Sequence, residues 1–268
     1  MAVVSHVLAL DTATPATVVG LLGPDGRGRA WTEAPAPGER PAHARRLLPL
    51  ALEALAGEGV AAADVDRIVV GAGPGTFTGI RIAVATGRAL ALALGAEVVG
   101  VPTPAALAAA ALGGDDPGTG PALPGREPAD ASPSGATPAA ASLDGDAGRS
   151  VLVVQDARRR ELFLTTATAA SLAGGAGGLR PEAVPIADLA GWLAARADPP
   201  TSAVGDGAPA HRAVLQAAGI AVPDDPSAHA VDGLALARVG AAAPVPATRD
   251  VRPVYVRGAD AIPTSRRR

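Results

Sequence analysis

The sequence predicts an internally duplicated α/β protein whose two lobes face a cleft, and three observations predict it. Leu8-Ala9-Leu10-Asp11 and Val151-Leu152-Val153-Val154-Gln155-Asp156 each run an apolar strand into an aspartate, a turn and a second strand. Strand-like and helix-like stretches follow one another over the first hundred residues in the order βββαβαβ. With 268 residues, 48% of them hydrophobic, the chain can bury the core of one large domain or two small ones.

The continuous apolar run over 3–10 predicts a buried strand. A turn at Pro15 leads to a strand over 17–22, and Gly23-Pro24-Asp25-Gly26 turns the chain into a third near 29–32. Residues 41–56 predict a helix with Leu47, Leu48, Ala51, Leu52 and Leu55 on one side. Pro49 lies inside it; an interior proline costs about 3 kcal/mol, so a kink is expected, or a helix that starts in earnest near Leu48. A strand over 67–70, a Gly-rich loop, a helix over 79–95 and a strand over 98–101 complete the first lobe, residues 1–102. Residues 113–150 hold 14 Gly or Pro. Such a composition buries too little to offset its ordering entropy, and the segment reads as a disordered surface insertion. The second lobe, 103–268, adds strands at 151–156, 161–166 and 202–204. Its helices are expected near 186–197, 208–218 and 230–241, and 260–268 as a frayed tail.

Composition removes several chemistries. All 23 basic residues are arginine, so a Walker-type phosphate lysine, a Schiff base and a Ser–Lys pair are excluded. Cysteine is absent, which removes thiol nucleophiles, disulfides and thiolate zinc sites. A net charge of −3 gives no global reason to bind nucleic acid, and the scattered Trp31, Phe77, Phe163, Trp192 and Tyr255 suggest no stacking surface. The first ten residues lack a basic leader and a cleavage site. Arg81, Arg88 and Glu97 interrupt the longest apolar stretch, so a soluble, cytoplasmic protein without membrane contact is expected.

Two features of the segment 71–95 bear on function. Gly73, Gly75 and Thr76 lie in a loop that can aim backbone N–H groups at an anion ahead of a helix N-terminus, with Asp11 at the end of the neighbouring strand. The bland alternatives are a tight turn into a packed helix, with Phe77 as a buried anchor, and an aspartate that caps its own turn at Ala13 or Thr14. Gly79, Ala83, Gly87, Ala91 and Gly95 recur every fourth residue on one helical face. Glycine inside a helix costs about 1 kcal/mol against alanine, so close packing is expected to compensate, either on the chain's own sheet or on a partner. Arg81 and Arg88 sit along the same helix and could pair with a partner's acids.

Leu8-Ala9-Leu10-Asp11-Thr12-Ala13-Thr14, His43-Ala44-Arg45-Arg46-Leu47-Leu48-Pro49, Gly73-Pro74-Gly75-Thr76-Phe77-Thr78-Gly79-Ile80-Arg81, Asp156-Ala157-Arg158-Arg159-Arg160-Glu161-Leu162-Phe163 and Pro253-Val254-Tyr255-Val256-Arg257 together resemble the bacterial TsaB (YeaZ) family. The resemblance spans nearly the whole chain outside the insertion and the extreme C-terminus. It implies a two-lobed actin-like ATPase (ASKHA, RNase H-like) fold with duplicated βββαβα lobes. It also implies work in tRNA threonylcarbamoyladenosine synthesis, as the non-catalytic partner of a TsaD-like catalytic subunit, joined by a TsaE-like ATPase. A separate enzyme, TsaC, makes the adenylate. On this view the chain has no catalytic residue, metal or cofactor of its own; ATP and Mg²⁺ serve the assembled complex, and tRNA is met through it. The catalytic paralogue carries His-x-x-x-His on the equivalent helix, whereas here His43 is followed by Leu47. The partner interface implied is His43, Leu47, Leu48, Arg81, Ala83, Gly87, Arg88 and Ala91, with a homodimer as the state of the chain alone. The rival reading is an ATP-dependent small-molecule kinase of the same superfamily, for which Gly205-Asp206-Gly207 is a thin echo of the adenosine-side motif.

Overall fold

A computed structural model describes residues 6–36, 38–113, 149–173, 176–246 and 250–256. Most of the expected insertion, the expected frayed tail and the start of the first strand lie outside the described residues. The strands are β1 (His6–Asp11), β2 (Thr17–Leu22), β3 (Gly28–Glu33), β4 (Val65–Gly71), β5 (Glu97–Val101), β6 (Ser150–Asp156), β7 (Glu161–Thr168), β8 (Glu182–Pro185) and β9 (Ser202–Val204). The helices are α1 (His43–Gly57), α2 (Phe77–Leu94), α3 (Thr103–Leu112), α4 (Ala169–Leu172), α5 (Leu189–Ala194), α6 (Arg212–Ala217) and α7 (Gly233–Ala242).

The strands form two sheets with one plan. The first has the order β3-β2-β1-β4-β5 and the second β8-β7-β6-β9. In each, the opening strand pairs antiparallel with its hairpin partner (Leu8↔Leu21, Val153↔Thr165) and parallel with a strand that follows a helix (Leu8↔Ile68, Val153↔Val204). The second sheet therefore repeats the first without a fifth strand.

Side-chain alternation then sorts the layers. Leu8, Leu10, Ile68 and Val70 face α1 and α2, while Val7, Ala9 and Val69 face α3 and α7. In the second sheet Val151 and Val153 join that same middle core, and Leu152 and Val154 face α5 and α6. The order of layers is α1/α2, first sheet, α3/α7, second sheet, α5/α6. The chain exchanges helices to build the middle. The late helix α7 packs on β1, β2 and β4, and the early helix α3 packs on β6 and β7.

Several boundaries differ from the sequence reading. The helix α1 runs unbroken through Pro49 from His43, so the later start near Leu48 does not occur. Its buried face, Leu47, Leu50, Ala51, Ala54 and Leu55, offsets the hydrogen bond the proline cannot make. Leu48 and Leu52 are exposed instead. The helices expected over 186–197 and 208–218 shrink to α5 and α6, each entered through a single 3₁₀ turn. Gly113 ends α3 and Ser150 already pairs in β6, so the insertion is shorter at both ends than composition suggested.

Two contacts fix α7 on the first sheet. Gly20 on β2 meets Gly233 with no room for a methyl on either residue. Arg67, buried in β4, donates to the carbonyls of Gly240, Ala241 and Ala243 at 3.1, 2.7 and 3.3 Å and pairs with Glu97 at 2.7 Å. A guanidinium thus closes the C-terminal carbonyls of α7, where the helix dipole is negative. Arg67→Ala is expected to lower unfolding free energy by about 3 kcal/mol, because it strands buried carbonyls and leaves a cavity. Urea denaturation of the two proteins checks this.

Candidate functional site

Asp11 ends β1 and is fully buried. Its Oδ1 accepts the N–H of Ala13 at 2.7 Å and its Oδ2 accepts the hydroxyl of Thr103 at 2.7 Å. Both oxygens are therefore engaged by the chain's own donors, the one from Ala13 closing the turn as the capping reading has it. Burial raises its pKa to about 6, with the hydrogen bonds from Thr103 and Ala13 opposing that rise.

The glycine loop is likewise filled by the chain itself. Gly73 has φ +96° and packs against Ile80 and the carbonyl of Val254, with a cis peptide to Pro74. Gly75 lies against the backbone of Ala13, whose carbonyl accepts the Thr76 N–H at 2.7 Å. Gly79 abuts the carbonyl of Thr12, and Thr12 Oγ1 donates to the Gly79 carbonyl at 2.7 Å. Asp11, Gly73, Gly75 and Thr76 thus hold β1, β4 and α2 together.

The small-residue ridge turns inward. Ala83, Gly87 and Ala91 are buried, and a methyl on Gly87 would overlap Val70 of β4. Gly95 is the left-handed C-cap, at φ +71°. Of the two alternatives, packing on the chain's own sheet is the one the structure has, so Ala83, Gly87 and Ala91 are corrected as partner contacts. Leu47 is corrected with them, being buried in the core between α1 and the sheet. His43 is also interior. Its Nδ1 is hydrogen-bonded to Thr17 Oγ1 at 2.9 Å, its Nε2 has no partner among the described residues, and burial holds its pKa below the ordinary histidine value.

What the first lobe does expose is the opposite face of the same helices. Leu48 and Leu52 on α1 lie outward, and Leu92 on α2 is 76% exposed. Ala85, Ala89 and Ala93 share the outer side of α2. Arg88 pairs with Asp250 at 3.5 Å and Arg81 with the hydroxyl of Tyr255 at 3.0 Å. The helix α2 is long and apolar enough to cross a bilayer, a test that the core helix of a soluble protein also passes; it carries Arg81 and Arg88, and its inner face is committed to β4. Phe77 also differs from expectation: it is half-exposed and touches Tyr255, so the aromatic residues are not all scattered.

The second lobe repeats the aspartate turn on the surface. Asp156 Oδ1 accepts the Arg158 N–H at 2.7 Å, as Asp11 does for Ala13, and its own N–H donates to Asp206 Oδ1 at 3.0 Å. Arg158, Arg159 and Arg160 follow at φ 63°, 54° and 64°, a left-handed run in non-glycine residues. Gln155 Nε2 reaches the carbonyl of Pro74 at 3.5 Å, so the two aspartate strands end near one another. Among the described residues no three of His, Cys, Asp and Glu converge.

Comparison with known proteins gives three findings. The family model described as TsaD, tRNA N6-adenosine threonylcarbamoyltransferase, matches residues 39–129. The solved structure named YeaZ from Pseudomonas aeruginosa is 26% identical, over 88% of this chain and 92% of that one, with a TM-score of 0.59. An uncharacterized protein, described as similar to peptidase YeaZ from Pseudomonas aeruginosa, is 28% identical over 94% of this chain and all of that one, with a TM-score of 0.63. No curated protein sequence matches.

Two outcomes follow from this geometry. Because Asp11 holds its proton more tightly folded than unfolded, the associated stability is full in acid and is lost as pH rises towards about 6. Asp11→Asn removes the charge, keeps the bond from Ala13 N–H to its Oδ1, and turns the second bond round so that its Nδ2 donates to the Thr103 hydroxyl. Wild type should therefore lose about 3 kcal/mol relative to this variant between pH 3 and pH 7, read as the difference between two urea titration series. A bulky residue on the ridge, Gly87→Leu, should cost 2 kcal/mol or more, on the order of an overpacked core, and lower the thermal midpoint of the isolated chain.

Proposed function

We propose that this chain, a member of the TsaB (YeaZ) family, is the non-catalytic subunit that activates a TsaD-like transferase in tRNA threonylcarbamoyladenosine synthesis. Its place in that tRNA-modification machinery rests on the family and on the actin-like fold it shares with the YeaZ structure. The reaction moves a threonylcarbamoyl group from its adenylate onto the adenosine beside the anticodon of ANN-decoding tRNAs. In this reading a TsaE-like ATPase joins the pair in the cytoplasm. ATP and Mg²⁺ are used by the assembled complex and not by this chain alone.

One observation carries the proposal. In the segment that matches the catalytic family, Leu47 stands one helical turn after His43 and is buried in the core, and the His43 ring is tied to Thr17. The paired histidines of the paralogue have no counterpart, while the outer face of the same two helices remains apolar and open. Leu48, Leu52 and Leu92 give that face its anchors, and burying each is worth about 1.5–3 kcal/mol. In the family the chain resembles, the equivalent helix pairs of TsaB and TsaD pack against one another. The occupant is the equivalent helix pair of the TsaD-like subunit, or a second copy when the chain is alone.

Leu92→Glu should leave the thermal midpoint of the chain unchanged, abolish co-purification with the TsaD-like subunit, and shift the isolated chain from dimer to monomer in sedimentation. Mixing the TsaD-like and TsaE-like proteins with tRNA and the adenylate should give modified tRNA only when wild-type chain is present. Full modification without it, or group transfer by the chain alone, would remove the proposal.

A further inference from the structure

The chain has five aromatic side chains, and the fold brings two of them together on the surface. Phe77 opens α2 and Tyr255 lies near the end of the described chain, yet their ring centroids are 5.4 Å apart with planes tilted by 33°. Neither serves the core: Phe77 is 51% and Tyr255 46% exposed, whereas Trp31 and Phe163 are buried. Leaving two large rings in water forgoes burial energy that the fold could have used. Arg81 completes the group. Its Cζ lies 3.8 Å over the Phe77 ring, and its Nε donates to Tyr255 Oη at 3.0 Å. Among the described residues its two terminal nitrogens have no hydrogen-bond partner. Asp250, the acid in the same C-terminal segment, is taken by Arg88 and Arg252.

The group is held rigidly. The Val254 N–H donates to the Ala72 carbonyl at 2.7 Å, which fixes Tyr255 beside the glycine loop. Val251 is buried against Gly100 of β5 and anchors the same segment. Phe77 and Arg81 are one turn apart on α2. Rings and guanidinium are therefore in place before any ligand arrives, which lowers the ordering cost of binding. Along the helix, Phe77 and Leu92 are separated by about 22 Å at 1.5 Å per residue, so this end of α2 is distinct from its apolar docking anchors.

Two half-exposed rings, Phe77 carrying the Arg81 guanidinium on one face, together with free guanidinium nitrogens match a base and its phosphate, the chemistry of sequence-tolerant nucleotide binding. We propose that Phe77, Tyr255 and Arg81 form a stacking site for an unpaired nucleotide of RNA, with the base on the rings and a phosphate on the Arg81 terminal nitrogens. The choice of RNA rests on the tRNA-modification reading above, and the site gives this chain a direct contact with that substrate.

The test uses the full chain and a fluorescein-labelled oligo(rA) of eight residues, followed by anisotropy at low salt, with unlabelled AMP as competitor. Phe77→Ala and Tyr255→Ala should each weaken binding about tenfold or more, as loss of one stacked base does. Tyr255→Phe should bind nearly as wild type does, and Arg81→Ala should bind less tightly with a shallower salt dependence. Arg27→Ala, which removes an exposed cation in the turn between β2 and β3, should change nothing. Competition by AMP at the same residues would assign the site to free nucleotides as well; its absence would assign it to RNA alone. No binding by wild type would overturn the proposal. So would full RNA binding by folded Phe77→Ala and Tyr255→Ala, including the case in which these variants lose only the protein partner. Leu92→Glu separates the two readings, since it should lose the TsaD-like partner and keep the oligonucleotide.

Discussion

The structure depends on a helical layer that both sheets must share. The helices α3 and α7 lie between the two sheets, α3 on β6 and β7 and α7 returning from late in the chain to cover the second face of the first sheet. The layer is thin because its residues are small: Ala105, Ala106, Ala108 and Ala237 pack there with Gly233 and Gly240. At Gly20 the helix backbone meets the strand backbone directly. Short distances of this kind strengthen dispersion and tolerate no added carbon. Asp11 belongs to the same arrangement, since its second oxygen holds Thr103, the first residue of α3.

That layer also decides what the remaining surfaces can do. At the ends of β1 and β4, Asp11 bonds Ala13 and Thr103, Thr76 bonds Ala13, and Thr12 bonds Gly79, so these strand ends are tied to the chain's own loops. The outer sides, α1/α2 on one lobe and α5/α6 on the other, are the faces free to meet other molecules. Of these, the α1/α2 side has the larger apolar side chains in solvent and lies within the segment that matches the TsaD family. That side of the chain is thus the one best suited to act by contact.

Much of this was legible in the sequence. Uninterrupted apolar runs ending in Asp11 and Asp156 mark the two central strands, and the hairpins after them follow from turn chemistry at Pro15 and Gly23-Pro24-Asp25-Gly26. The direction in which a ridge of small residues faces was not legible. Gly79, Ala83 and Gly87 are equally suited to a strand or to another molecule, and only the placement of Val70 decides between them. The signal passed over was Gly20 and Gly233, two glycines inside a strand and a helix start, where each would otherwise be unfavourable. The meeting of Phe77 with Tyr255 had no local signal, because it depends on a long-range strap anchored by Val251. The insertion edges were misjudged because Gly113 and Ser150 resemble their low-complexity neighbours but are claimed by α3 and β6.

The crossing of α7 has a bearing on how the protein comes off the ribosome. The first sheet finds the cover for its second face only when residues 233–242 have been synthesised. Until then Val7, Ala9, Val18, Leu22 and Val69 present a bare apolar surface to solvent or to a chaperone. Pairings so distant in sequence form slowly and leave nascent chains prone to clumping. A truncation that spares every residue of the first sheet but removes α7 would therefore yield sticky material, not a smaller working lobe.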